Sequence, residues 1–290
     1  MQLSTFLIQL LNGVQYGMLL FLIASGLTLT FGVMGIINLA HGAFFMLGAY
    51  LVLQLTRFWG WPLPAGYVAA IATVVVLGAI VEKTVLAPLV GRDHLDQVLL
   101  TYGLILIFDE LAVILWGKDV QPAEIPLWLQ GSVHLGETFI YPVYRLWLAA
   151  AGLLCALGLY LIVSRTRLGM IVRAGSRDRA MVSALGINVG PVFALVFGLG
   201  AALAGLAGIL AAPVLSVSPG MGDKIIIIAF VVVVIGGIGS IKGAFVGALL
   251  VGLFDSFGKV LFPTVSSLVI YALMAAILVW RPSGLFGKAT

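Results

Sequence analysis

The chain has 290 residues, of which 62% are apolar and 9% charged, and its mean hydropathy is +1.20. A soluble globular chain carries about 25% charged residues, so a soluble enzyme, a secreted disulfide scaffold and a single-span receptor are excluded. The net charge of +4 is concentrated in one short segment rather than spread over a face, which argues against nucleic acid as a partner.

The apolar residues form unbroken runs of about 15 to 25 residues rather than alternating stripes, which predicts membrane-crossing helices and not barrel strands. In chain order the runs are 6–33, 36–56, 63–82, 97–116, 144–164, 191–212, 224–238, 243–261 and 265–280. Together they predict an all-α, polytopic transmembrane helical bundle of about eight to nine spans, some of them broken or half-helices. No linker is visible, so residues 1–290 read as a single membrane-spanning domain. The opening MQLSTFLIQLLNG lacks a basic region and a cleavage pattern, and reads as the start of a retained helix.

Near the end of the first run, Gly32 and Gly35 bracket a junction after which Asn38 and His41 interrupt an apolar stretch. Polar groups at membrane depth are costly, and broken helices with glycine at the break expose backbone to a translocated solute. Asn38, His41 and Gly42 therefore either line a path or hold helices together by hydrogen bonds. The run from Asn38 reads as a half-helix that does not cross fully. Further on, Asp109 and Glu110 lie toward the outer end of run 97–116. Adjacent residues cannot share one helix face, so at most one of the two looks inward.

The longest polar stretch, 117–143, carries Pro122, Pro126, Pro142, Glu124, Glu137 and Trp128. It reads either as an external docking surface or as an interfacial loop anchored by Trp128 and Tyr141. Cys155 sits alone in an apolar run and reads as a small packed hydrophobe.

Arg165, Arg167, Arg173, Arg177 and Arg179 cluster in the next loop, 165–190, the signature of a cytoplasmic segment. Alternating outward from it puts 83–96, 239–242 and the C-terminus inside. Those segments add Lys83, Arg92, Lys242, Arg281 and Lys288 to the inner set, leaving Arg57, Lys118, Arg145, Lys224 and Lys259 outside. Within the loop, residues 173–188 show a polar start, a short helical stretch and a glycine stop at Gly186. Such a helix either lies in the headgroups or inserts into a groove of a cytoplasmic partner.

Two glycine-rich stretches follow. Gly198, Ala201, Gly205, Gly208 and Ala212 form a small-residue stripe, and Gly239, Gly243 and Gly247 are spaced by four, both patterns of close helix packing. Gly236-Gly237 reads as part of that packing or as a flexible break. The three histidines lie in unrelated segments, and no HExxH, CxxC or GxSxG pattern occurs. No catalytic residue, metal site or cofactor is expected. Gly287-Lys288-Ala289-Thr290 lacks the strand and helix of a phosphate-binding loop.

Four stretches together resemble one family. The segment Ile-Asn-Leu-Ala-His-Gly-Ala-Phe-Phe-Met-Leu-Gly-Ala-Tyr (37–50) is similar to the signature of bacterial branched-chain amino acid ABC-importer permeases of the LivH type. Residues 173–188 resemble that family's coupling loop, 236–244 its third signature, and Arg281-Pro-Ser-Gly-Leu-Phe-Gly287 its ending. The resemblance implies an inner-membrane subunit with no enzymatic activity of its own. Its partners would be a second permease (paralogue or self), two cytoplasmic ATPases, a periplasmic substrate-binding protein and membrane lipid. Carried onto this chain, Arg173, Ala174, Arg177, Asp178, Arg179, Ala184, Leu185 and Gly186 would form the ATPase-coupling loop. Asn38, His41, Gly42, Gly236 and Gly237 would border the path. The solute would be a branched-chain or related apolar amino acid, with urea or a short amide as the alternative. A competing class is a stand-alone proton-coupled transporter that uses Asp109 or Glu110.

Overall fold

The computed structural model describes residues 3–134, 139–175, 179–186 and 188–287. Helix α1 (Leu3–Met34) is apolar on every face, and from Gly13 onward it sinks almost wholly into the protein. A helix without a polar face must be enclosed by others, and α1 is the axis around which the rest packs. Helix α10 (Ile241–Leu261) runs antiparallel to it. Gly13 meets Gly252 and Leu253, Gly17 meets Ala248, and the Phe21 and Phe245 rings stand edge to face at 5.3 Å.

Helix α8 (Val189–Leu215) crosses α1 where Gly26 and Gly200 touch. Helix α2 (His41–Leu53), continued by a π-turn through Phe58, lies parallel to α8. Phe44 packs on Phe197 at 5.8 Å, Gly48 on Gly205, and Phe45 on Gly208. The small-residue stripe is therefore shared between two neighbours: Gly205 and Gly208 meet α2, whereas Gly198 and Ala201 lie against Val75 and Gly78, and absent side chains let backbones approach. Helix α9 (Met221–Gly236) closes this inner set, with Gly222 against Gly42 at its start and Gly236 against Gly243 at its end.

Around this core stand α3 (Leu63–Val81), α4 (His94–Trp116), α5 (Val143–Arg165) and α11 (Ser266–Trp280). They leave Val68, Leu106, Leu154 and Val279 exposed, as lipid-facing helices do. Among the described residues seven helices are long and apolar enough to cross a membrane. The remaining two of the nine expected runs are shorter helices, α2 with 13 residues and α9 with 16. The stretch from Gly35 to Ala40 is not helical, so the run expected from residue 36 begins its helix only at His41.

The two ends of the bundle are distinct. At one end Ile37 meets Gln97, Gly32 meets Gly239, and Phe286 N–H donates to the Gly236 carbonyl. At the other, Arg57 donates to the Pro122 carbonyl, Gln121 pairs with Val217, and Trp116 Nε1 donates to Gln54. The first end holds the segments expected inside, the second those expected outside.

In the outer loop a two-stranded ribbon joins β1 (Ser132–His134) to β2 (Ile140–Pro142) in antiparallel register, Val133 opposite Tyr141. Trp128 is exposed and stands edge-on to Trp147 at 5.9 Å. Tyr141, expected in the headgroups, is instead buried, and its hydroxyl donates to Asn12 of α1 at 3.1 Å. Arg145 donates to the same Asn12 oxygen at 2.7 Å, so the loop is fastened to the central helix. Glu137 lies outside the described residues.

Candidate functional site

The break after α1 leaves backbone groups that lipid cannot satisfy. Two side chains of α4 satisfy them. The Ile37 N–H donates to Gln97 Oε1 at 3.2 Å, and Thr101 Oγ1 donates to the Ile37 carbonyl at 3.4 Å. Gln97 Nε2 also donates to the carbonyls of Leu89 and Arg92. Neither residue was singled out from the sequence, yet a signal was present. Gln97 and Thr101 are polar, four apart, and hence on one face of an otherwise apolar run.

From these contacts a strong dependence on Gln97 is expected. Gln97→Leu strands the Ile37 N–H and removes the Gln97 bond to the Arg92 carbonyl, while the Leu89 carbonyl keeps the Arg92 N–H; each unpaired buried group costs about 1–3 kcal/mol. The melting temperature of the purified protein in detergent should fall clearly, whereas Thr101→Val should cost less. Equal melting of Gln97→Leu and the parent would contradict this account of the break.

The side chains within the break are treated differently. Asn38 is 1% exposed, and both polar atoms of its amide lack a partner among the described residues. His41 opens α2 and is fully buried, with Nε2 3.2 Å from the Ile23 carbonyl and Nδ1 unpartnered. Thr28 Oγ1 on α1 is buried and unpartnered as well. Of the interhelical hydrogen bonds that the packing alternative requires, His41 makes one, to Ile23 of α1, and Asn38 makes none among the described residues. Gly42 lies one residue beyond, where a Cβ would strike the Gly222 backbone and Ile226.

Gly236 and Gly237 are at the opposite end of α9, about 20 Å from Gly222 at 1.5 Å per residue. They are thus at the far end of α9 from the residue that meets Gly42, and touch Gly243 and the C-terminal segment instead. Gly236 packs on Gly243, and Gly237 adopts a φ of +96° beside the Gly287 backbone. The C-terminal segment is stitched there, Leu285 N–H to the Ile235 carbonyl at 2.9 Å and Phe286 N–H to Gly236 at 3.0 Å.

The arginine-rich loop contains two short helices, α6 (Arg167–Gly175) and α7 (Arg179–Ala184). The chain turns sharply at Thr166, whose hydroxyl accepts from the Gly169 N–H at 3.2 Å and caps α6. A Cβ at Gly169 would collide with the Val163 carbonyl, so glycine permits this turn. Arg173 is exposed and donates to the Val163 carbonyl, pinning α6 to the end of α5, and Ala174 is exposed beside it. Arg177 and Asp178 lie outside the described residues, as does the side chain of Arg179. Helix α7 buries Val182 but exposes Met181, Ala184 and Leu185. It stops at Gly186, whose φ of +80° matches the expected glycine stop.

Asp109 of α4 is half-buried and points inward, while Glu110 is exposed, as adjacent positions on a helix require. The Asp109 carboxyl comes into hydrogen-bonding reach of the Asp223 carboxyl of α9 and of the Gly220 backbone.

Comparison with known proteins agrees with this geometry. Residues 9–278 match the family described as branched-chain amino acid transport system, permease component. The high-affinity branched-chain amino acid transport permease BraD of Pseudomonas aeruginosa is 35% identical, across 98% of this chain and 96% of its own. The corresponding LivH protein of Escherichia coli is 31% identical over the same shares. A probable LivH permease of Methanocaldococcus jannaschii is 29% identical across 94% of this chain and 90% of its own. No solved structure matches the chain. With a polytopic helical body, a family match over residues 9–278 and relatives of this similarity, the chain belongs to the branched-chain amino acid transport permease family.

Proposed function

We propose that the chain, as a single domain over 1–290, is the membrane subunit of an ATP-driven importer of branched-chain or related apolar amino acids. Two cytoplasmic ATPases, a second permease (a paralogue or a second copy) and a periplasmic binding protein complete the assembly in the inner membrane. The observation that carries this reading is the break between α1 and α2. The Ile37 backbone is met by Gln97 and Thr101, yet Asn38 and one nitrogen of His41 are buried without partners among the described residues.

Each such group costs about 1–3 kcal/mol. Polar groups kept at that expense in a membrane belong to a solute pathway more readily than to packing. In the occluded arrangement the break is closed by α1, α9 and α4, and movement of α9 against Gly42 would open it. Gly236 and Gly237 would serve as the hinge of that movement, fixed to the C-terminal segment. The loop with Arg173, Ala174, Ala184, Leu185 and Gly186 would receive the force of ATPase closure. Arg177, Asp178 and Arg179 would contribute charge to the same contact.

The test is reconstitution of the chain with and without its ATPase and binding-protein partners in proteoliposomes. Leucine uptake that requires ATP and all partners is expected. Uptake by this chain alone, driven by a proton gradient, would overturn the proposal in favour of a secondary transporter. His41→Leu keeps roughly the size of the side chain and removes both ring nitrogens, the unpartnered Nδ1 and the Nε2 beside the Ile23 carbonyl. It should lower uptake at least several-fold while the protein still elutes as the parent does. Unchanged uptake would return His41 to packing.

A further inference from the structure

Toward the outer ends of α2, α4 and α9, three polar side chains converge without a cation among them. Asp109 faces Asp223 and the backbone of Gly220. Gly220 has a φ of +73° and starts α9, so Asp223 occupies the helix's first turn. The Tyr50 ring is fully buried and stacks on Trp116 at 4.7 Å and 22°, which fixes its direction. Its hydroxyl has no partner among the described residues and lies within electrostatic reach of the Asp109 carboxyl. Lys224, the next residue to Asp223, is exposed and takes no part. Among the described residues the ion pair that forms is a different one, Lys259 with Asp255 at 2.6 Å.

Two carboxylates side by side in a half-buried site repel each other, and ionised carboxylates are acceptors only. The buried Tyr50 hydroxyl, within electrostatic reach of Asp109, offers another acceptor lone pair. This arrangement calls for a compact cation with several N–H or O–H donors. A primary ammonium has three donors at tetrahedral angles, one for each oxygen group present. At 1.5 Å per residue, Asp109 is about 10 Å from the outer end of α4 at Trp116, where a solute arriving from outside would first leave water. We propose that Asp109, Asp223 and Tyr50 form a subsite that takes the α-ammonium group of the amino acid as it enters the permease.

This subsite rests on the importer reading and adds to it which part of the solute is recognised. Sodium bound between the carboxylates and a proton shared by them are the rival occupants: sodium would show as a response to sodium chloride, and a shared proton as no response to leucine or isopentylamine near neutral pH, and either result would overturn the subsite. Tryptophan fluorescence of the purified full-length chain, with Trp116 as reporter, is titrated with leucine, isopentylamine, 4-methylpentanoate and sodium chloride. Leucine and isopentylamine, which carry the ammonium, are expected to saturate the signal. The desamino acid and sodium are not.

Asp109→Asn and Asp223→Asn should each weaken the amine about tenfold or more, as loss of a charge-assisted hydrogen bond does. Tyr50→Phe keeps the stack on Trp116 and should weaken it about threefold. It also guards against a misfolded carboxylate variant. An equal response to 4-methylpentanoate, a response to sodium that replaces that of the amine, or amine affinity unchanged in Asp223→Asn and Tyr50→Phe would each overturn the subsite. ATP-driven uptake in the assembled transporter is read separately. Its absence in the parent defeats the importer reading, whereas normal leucine uptake in both asparagine variants defeats the subsite alone.

Discussion

Gly208→Val is expected to abolish recovery of folded protein. A Cβ at this position falls on the Phe45 carbonyl of α2, and the obstacle is backbone that cannot rotate away. Overpacking usually costs about 1–3 kcal/mol when neighbouring side chains can shift. Here α2 and α8 would have to separate along their length, because Gly48 and Gly205 meet in the same way one turn further along. That separation also loosens Phe44 from Phe197 and the α2 start from the break. Stability of a domain is only about 5–15 kcal/mol, so the loss approaches the whole. Size-exclusion elution in detergent should show aggregate for Gly208→Val and for Gly48→Val. Gly103→Ala on α4 and Gly158→Ala on α5 should elute normally, since nothing lies within 4 Å of either Cβ position. A monodisperse Gly208→Val would mean that α2 and α8 are not packed backbone to backbone.

Contacts of this kind explain what could be read from the sequence and what could not. The membrane class and the positions of the helices follow from run length and continuous apolarity, which are local properties. The stripe from Gly198 to Ala212 announced a close contact, but nothing in the stripe named α2 as the partner. The half-helix was legible because Asn38 and His41 are polar where their neighbours are not. Its start was misplaced by five residues, since the apolar Ile36, Ile37, Leu39 and Ala40 look helical while spanning a break. Its support was missed, because Gln97 is about sixty residues away. Helix α6 was also hidden. Leu168, Met170 and Ile171 were read as loop, although Thr166 and Gly169 mark a capped turn. Tyr141 looked interfacial by residue type and is buried because Asn12 offers it an acceptor. Asp109 could be placed on its helix, but that it faces Asp223 depends on how α4 and α9 pack. Charge sorted the connecting segments into the two groups that the structure places at opposite ends, because the arginine cluster is local.

The exposed face of α7 carries the second large effect. Met181 and Leu185 are 58% and 72% exposed, four residues apart and so on one side of the helix. Val182 on the other side is buried, which sets the helix's orientation independently of what its outer face meets. An apolar pair held outward by a buried anchor, at the arginine-rich end, suits insertion into a protein groove. Burying a side chain of this size yields about 1.5–3 kcal/mol, so an aspartate in its place should reduce binding by tenfold or more. Leu185→Asp and Met181→Asp are therefore expected to lose copurifying ATPase and ATP-driven leucine uptake together. The melting of Leu185→Asp should match the parent, because that side chain is exposed. Gly186→Val should weaken coupling by a different route, since a β-branched residue disfavours the φ of +80° that ends α7. Lys118→Asp, at the far end of the bundle, should leave ATPase recovery unchanged. Full ATPase recovery with Leu185→Asp would move the coupling contact away from α7 and onto α6, where Met170 is the exposed apolar alternative.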